Sequence, residues 1–253
     1  MASLLQLEGV CKAYARGERR LRVLADLSLE VQAGEIAAIV GSRGEGKTTL
    51  LQIAAGIELP DRGSVRFEGV ELGSMSDRRR SELLGDSISW ITRDGPGLRL
   101  QVRDAVAMPL AIGRGRRSRH IFEAAEDALE RVGASNCAHR SWGELSNWEQ
   151  VLVGFARMIV ARSRLLVLDD LFEGLSMGRM REAAGWLRAL TEELGSGVLM
   201  SASDVEGTLA ASRVWSLIGG RLEPMSAAVL DAEVIEFPHG ARRRLDARDG
   251  TAG

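Results

Sequence analysis

The sequence predicts an α/β protein whose core is a mainly parallel sheet. Three observations carry that expectation. Strand-like and helix-like stretches alternate along most of the chain. A glycine-rich loop, GSRGEGK, joins an apolar strand, EIAAIV, to a helix start, TTLLQIAAG. A second apolar strand, RLLVLDD, ends in two carboxylates about 120 residues further on.

Taken in order, residues 4–9 and 22–32 alternate apolar and polar side chains and read as strands. EIAAIV is a buried strand. GSVRFEGVEL, after Pro60, reads as a hairpin, SDRRRSELLGD as a short capped helix, and SISWITR as a strand. RDGPGLRL is a glycine and proline turn. Residues 118–132 have helical spacing, with Gly133 as the stop, and residues 146–161 form another helix. After RLLVLDD come a helix in REAAGWLRALTEELG, a strand in GVLMSAS and a hairpin in RVWSLIGGRLEP. From about residue 231 the chain turns polar, carries Arg242–Arg244 and reads as a loose tail. Antiparallel patches therefore flank the sheet at the N-terminus and near 213–223. There is no internal repeat.

Composition narrows the class. The chain has 253 residues, 45% apolar and 27% charged, with a net charge of −2. That balance argues against a general nucleic-acid binder. Cys11 and Cys137 are far apart in the chain, which points to a reducing compartment without structural zinc. No signal segment opens the chain and no run of about 18 apolar residues spans a bilayer, so any membrane part is expected from another chain. Only two of the 33 basic residues are lysines, Lys12 and Lys47. A lysine kept in so arginine-rich a chain is expected to serve as a point charge.

Gly41-Ser42-Arg43-Gly44-Glu45-Gly46-Lys47-Thr48 fits the pattern GxxxxGK[ST]. Glycines let backbone N–H groups curl around phosphate oxygens, and the following helix N-terminus adds positive potential. Lys47 is placed to reach the β- and γ-phosphates and the Thr48 hydroxyl to bind Mg²⁺, with Thr49 next in the site. Glu45 is expected to turn its side chain outward. Asp169, at a strand end, can hold Mg²⁺ through water.

Together these features resemble the nucleotide-binding subunits of ABC transporters. The resemblance rests on Tyr14 after the first strand, AGEIAAIVGSRGEGKTT, LSNWEQ and LLVLDD, and covers residue 4 to about 224. The stretches DRGSVRFEGVELGSMSDRRRSELLGDSISW and VRDAVAMPLAIG are most similar to the lipoprotein-release and macrolide-export subgroup. The resemblance implies a P-loop, RecA-like core in residues 1–230. It also implies an antiparallel β subdomain at the N-terminus and a helical subdomain inserted at roughly 94–162. It implies ATP and Mg²⁺ as ligands, Tyr14 stacked on adenine, and a homo- or heterodimer with another nucleotide-binding subunit. A separate transmembrane permease would hold the chain on the inner, cytoplasmic face of the cell membrane.

Against that family the sequence departs at five places. Arg93 stands where a magnesium-contacting glutamine is usual, and a guanidinium cannot ligate a cation. Asp170 stands where a water-polarising glutamate is usual, one methylene short for a general base. Ser176 replaces an aspartate that links conformations. Ser203, followed by Asp204, replaces a γ-phosphate histidine. His120, His139 and His239 all lie elsewhere. In Ser146-Asn147-Trp148-Glu149 both glycines of the signature that clamps a partner's ATP are replaced. Trp148 is expected at an exposed edge, where it either blocks the dimer contact or packs aside.

Binding parts are thus retained and hydrolytic parts altered. Slow ATP turnover is the expectation, with Glu173 or Asp204 as unmatched residues able to rescue it. Two readings stay open. One is an ATP-binding transport subunit. The other is an ATP-sensing regulator that signals to a membrane or cell-wall partner. A DNA-repair type relative would need a long coiled-coil insertion between the two phosphate-site motifs, which this spacing excludes.

Overall fold

The computed structural model describes residues 3–17, 19–93, 95, 100–113 and 118–225. The tail beyond 231 and most of the turn at 94–99 lie outside the described residues.

The chain opens with a long antiparallel hairpin, β1 (Leu5–Arg16) and β2 (Arg19–Val31). Both strands run further than their alternation indicates, because pairing continues past three register shifts to Arg16↔Arg19. Tyr14 consequently lies within β1, paired with Leu21, and not after the strand. Next come β3 (Ile36–Val40), α1 (Lys47–Ala54), β4 (Arg62–Phe67) and β5 (Val70–Glu71). α2 (Asp77–Asp86) starts at Ser76, whose hydroxyl accepts from Arg79 N, the usual way to satisfy a free helix N–H. β6 (Ile88–Thr92) leads to α3 (Val102–Gly113), α4 (Ser118–Arg131) and α5 (Asn147–Ala161). The chain then returns as β7 (Leu165–Asp169), α6 (Met177–Leu194), β8 (Gly197–Ala202), β9 (Arg213–Ile218) and β10 (Arg221–Met225). α6 begins one turn earlier than its apolar pattern indicates, because Ser176 caps it.

Two sheets result. One has the order β2-β1-β4-β5 and is antiparallel. The other has the order β10-β9-β3-β8-β7-β6 and is parallel except for the β9–β10 hairpin. Its central strands are apolar on both faces, as a sheet covered on both sides requires. Alternation divides them between two cores. Ala37, Ile39, Leu165 and Val167 join α1 and the antiparallel sheet. Ile36, Ala38, Leu166 and Leu168 join α3 to α6. β3 and β7 both end at the same sheet edge, beneath the glycine loop and the carboxylates. Ligands of open α/β sheets bind at such strand ends.

Candidate nucleotide site

The loop 41–46 links β3 to α1. Gly46 sits at φ 102, and a Cβ there would lie 2.6 Å from Val23 Cγ1. Any side chain would therefore meet both strain and collision against β2. The Lys47 side chain is 5% exposed. Its ammonium donates to Gly41 O at 2.7 Å and Ser42 O at 3.5 Å. These carbonyls hold the charge over the loop, 3.9 Å from Asp170 Oδ2. Ser42, Arg43, Gly44 and Thr48 are exposed along the loop mouth. The Glu45 carboxylate does not simply face solvent. It accepts from Gly219 N at 3.0 Å, because the β9–β10 turn lies against the loop.

At one end of the loop, the Tyr14 hydroxyl donates to Glu58 Oε2 at 2.6 Å and lies 3.5 Å from Thr49 Oγ1. Its ring is partly open to solvent, 38% exposed. Burial and the hydrogen bond to Glu58 both raise the Tyr14 pKa. Lys12 lies 2.8 Å from Glu58 Oε1 and 5.6 Å from the Tyr14 ring centre. Burial is the largest influence and opposes the Lys12 charge, but the bond to Glu58 and the charges of Glu58 and Asp61 together outweigh it and the pKa is raised. The second lysine is therefore also a placed charge, one that orients the aromatic group.

At the other end stand the two strand-end carboxylates. Asp170 has a left-handed backbone, φ 47, uncommon for a residue with a side chain. Ser201, buried on β8, fixes it: Asp170 N donates to Ser201 Oγ at 2.8 Å. The same hydroxyl is within donating distance of Asp169 Oδ1 (2.8 Å) and Asp170 Oδ1 (3.2 Å). Burial raises the Asp170 pKa; Lys47 opposes this, while Asp169 and Glu173 add to it. Sequence reasoning missed Ser201. An inward-facing serine in an apolar strand was its only signal.

Arg93 follows β6, and its N–H donates to Asp169 O at 3.3 Å. Trp142 anchors this stretch, with Nε1 donating to Arg93 O at 3.1 Å. Gly95 rests on the same indole, where a Cβ would come within 2.4 Å of the ring. The Arg93 guanidinium donates to Glu173 Oε2 at 3.0 Å, and Arg43 donates to Glu173 Oε1 at 3.4 Å. Glu173, expected only as an unmatched carboxylate, thus bridges the loop and the Arg93 position. Asp204 and Ser203 line a small cleft of about 30 Å³ beside Asp170 and Glu173. Ser176 has become a helix cap, accepting from Arg179 N.

The signature-like segment opens α5. Ser146 accepts from Glu149 N at 3.3 Å, and Glu149 Oε2 accepts from Ser146 N (2.7 Å) and Ser146 Oγ (2.8 Å). This reciprocal capping box satisfies helix donors within the chain. The Ser146 bonds, joined by Arg140, lower the Glu149 pKa to about 2. Asn147 Nδ2 donates to Gly174 O at 3.3 Å. Trp148 is half-buried and not at an exposed edge. Its ring meets Trp186 of α6 edge-on at 6.3 Å, and the Arg179 guanidinium lies 4.4 Å from the ring centre. The indole packs against α6 within the chain.

Among the described residues no group of three or more His, Cys, Asp or Glu could hold a metal unaided. Thr48 and Asp169 offer two hard oxygens, a donor set that fits Mg²⁺ when it is shared with phosphates. The Arg93 guanidinium stands on the Glu173 side of the site, bonded to that carboxylate.

A glycine loop at a helix N-terminus, a lysine over it and strand-end carboxylates define a P-loop nucleotide-binding protein with a RecA-like core. Residues 24–173 match the ABC transporter family. The lipoprotein-releasing system ATP-binding protein of Bordetella pertussis is 34% identical over 221 residues, 87% of this chain and 95% of that protein. Its namesake from Colwellia psychrerythraea is 29% identical, over 89% of this chain and 88% of that protein. An ATP-binding cassette solved as a dimer with ADP and phosphate superposes with a TM-score of 0.81. It is 22% identical, and the match covers 88% of this chain and 98% of that one. A component of a Clostridium perfringens ABC transporter complex reaches a TM-score of 0.73 at 23% identity, covering 87% of each chain. The chain belongs to the ABC transporter family, among its ATP-binding subunits. No helix among the described residues is long and apolar enough to cross a membrane.

Proposed function

We propose that this chain binds Mg-ATP at an interface between two nucleotide-binding subunits, docks on a separate permease and turns ATP over slowly. The relatives named for lipoprotein release make that transporter group the first to test. The permease would hold the chain on the inner face of the cell membrane. Tyr14 meets the base, and the loop 41–46 with Lys47 and Thr48 holds the phosphates. Mg²⁺ would supply charge neutralisation between Thr48 and Asp169. Ser146, Asn147 and Glu149 face a neighbour's nucleotide at the start of α5.

One observation carries the slow-turnover reading. The Asp170 carboxylate, the candidate base, is engaged inside the chain by Ser201 and Lys47. A general base works only within hydrogen-bond reach of the proton it takes. An aspartate already oriented by two partners, and one bond shorter than a glutamate, is poorly placed to take it from water. Loss of a general base lowers rates by about 10²–10⁴. Phosphate release by the purified protein should therefore fall below roughly 0.1 s⁻¹, against about 1–10³ s⁻¹ for ordinary enzymes. Fast release that Lys47→Ala abolishes would overturn this reading. The same engaged groups favour a second reading, an ATP sensor that signals by binding alone. Co-purification of a permease with ATP-driven transport separates the two, since a sensor would change its complex without turnover.

A further inference from the structure

The Arg93 side chain leaves the end of β6 at the sheet edge that carries the phosphate loop. Thr92, the preceding residue, pairs with Asp169 across the sheet. The side chain thus starts next to the carboxylate offered to the metal, and its cation cannot accept a metal bond. Glu173 holds it at 3.0 Å and holds Arg43 of the loop at 3.4 Å. Arg93, Glu173 and Arg43 are 35%, 31% and 88% exposed. Ion pairs this open to water are weak and exchange readily. Around the loop, Lys47, Arg43 and Arg93 face Glu45, Asp169, Asp170 and Glu173. A triphosphate adds about four negative charges to that set, and guanidinium groups fit phosphate oxygens in paired hydrogen bonds.

We propose that Arg93 is a γ-phosphate-binding residue that leaves Glu173 for the triphosphate, so that this chain prefers ATP to ADP and binds ATP with little need of Mg²⁺. The guanidinium takes over charge that a divalent cation would otherwise supply. Glu173 is its rival ligand and holds it when no γ-phosphate is present. The inference rests on the reading that the glycine loop binds ATP.

The test is calorimetric titration of the purified protein with ATP and with ADP, in Mg²⁺ or in EDTA. Wild type, Arg93→Gln and Glu173→Gln are compared, with Lys47→Ala as the control for the loop. Wild-type affinity for ATP should change by less than about tenfold on Mg²⁺ removal. Arg93→Gln should lose roughly tenfold to a hundredfold for ATP in EDTA, the worth of a charged hydrogen bond, and keep its ADP affinity. Glu173→Gln removes the rival carboxylate and should tighten ATP binding without changing ADP binding. An ATP/ADP ratio and Mg²⁺ dependence unchanged in Arg93→Gln would overturn the proposal. So would a wild type as Mg²⁺-dependent as that variant, or Glu173→Gln with unchanged ATP affinity. Wild type that binds no ATP in either buffer would instead remove the nucleotide-binding reading on which the proposal rests.

Discussion

The two ends of the nucleotide site are built on opposite rules. At the base end, Tyr14, Glu58, Lys12 and Thr49 form a local set around one aromatic ring. At the γ-phosphate end, three substituted residues bind other residues of the chain: Arg93 to Glu173, which also holds Arg43, Asn147 to Gly174, and Trp148 to Trp186 and Arg179. Arg93, Asn147 and Trp148 are thus tied to other elements of the chain, while Ser203 is exposed. A substituted position can still hold a defined partner within the fold.

That contrast can be broken in several ways, the largest first. Lys47→Ala removes the one charge held over the loop and should weaken ATP binding at least a hundredfold by calorimetry. An effect under threefold would show that the base end dominates binding. Trp148→Ala should lower unfolding free energy by about 2 kcal/mol, because a half-buried ring and its aromatic partner are lost together. A double-mutant cycle with Trp186→Ala should give about 0.5–1.5 kcal/mol of coupling in denaturant unfolding. Replacing Asn147-Trp148 with Gly-Gly should then leave ATP-driven dimerisation unimproved on size-exclusion chromatography. Stronger dimerisation would return Trp148 to the role of a barrier.

A third test uses acid. The Glu149 pKa is about 2 in the folded chain, below its ordinary 4.5. A lowered carboxylate pKa stabilises the fold above the unfolded value and loses that contribution as pH falls through the folded value. Thermal stability should therefore drop between about pH 4.5 and pH 2, and Glu149→Gln should show a shallower drop in differential scanning calorimetry over that window. The smallest effect belongs to Tyr14→Phe. It keeps the ring and loses the hydroxyl's bond to Glu58 and its longer contact with Thr49, so ATP affinity should change by less than about fivefold. A larger loss would give the hydroxyl a direct part in binding the base.

The glycine loop, the strand ending at Asp169 and the helix over 146–161 were legible because each is written in consecutive residues. Backbone geometry there follows from local composition. The pairs that define the γ-phosphate end were not legible. Arg43 and Glu173 are 130 residues apart, Arg93 and Glu173 are 80, and Asp170 and Ser201 are 31. Periodicity says which face a side chain takes but not what crosses from another element to meet it. Trp148 shows the same limit. Its half-turn position reads as a helix mouth, and only α6 reveals the slot the indole fills. The length of the β1–β2 hairpin was missed because its register shifts break the alternation that marks a strand.

The bond from Gly219 N to Glu45 has a practical side. It carries the phosphate loop's position out to a turn where Ile218 is 61% exposed. A dye attached through Ile218→Cys would stand outside the nucleotide site, yet ride on the same tether as the loop. Its brightness would report loop rearrangement in real time, in the full chain, without a labelled nucleotide.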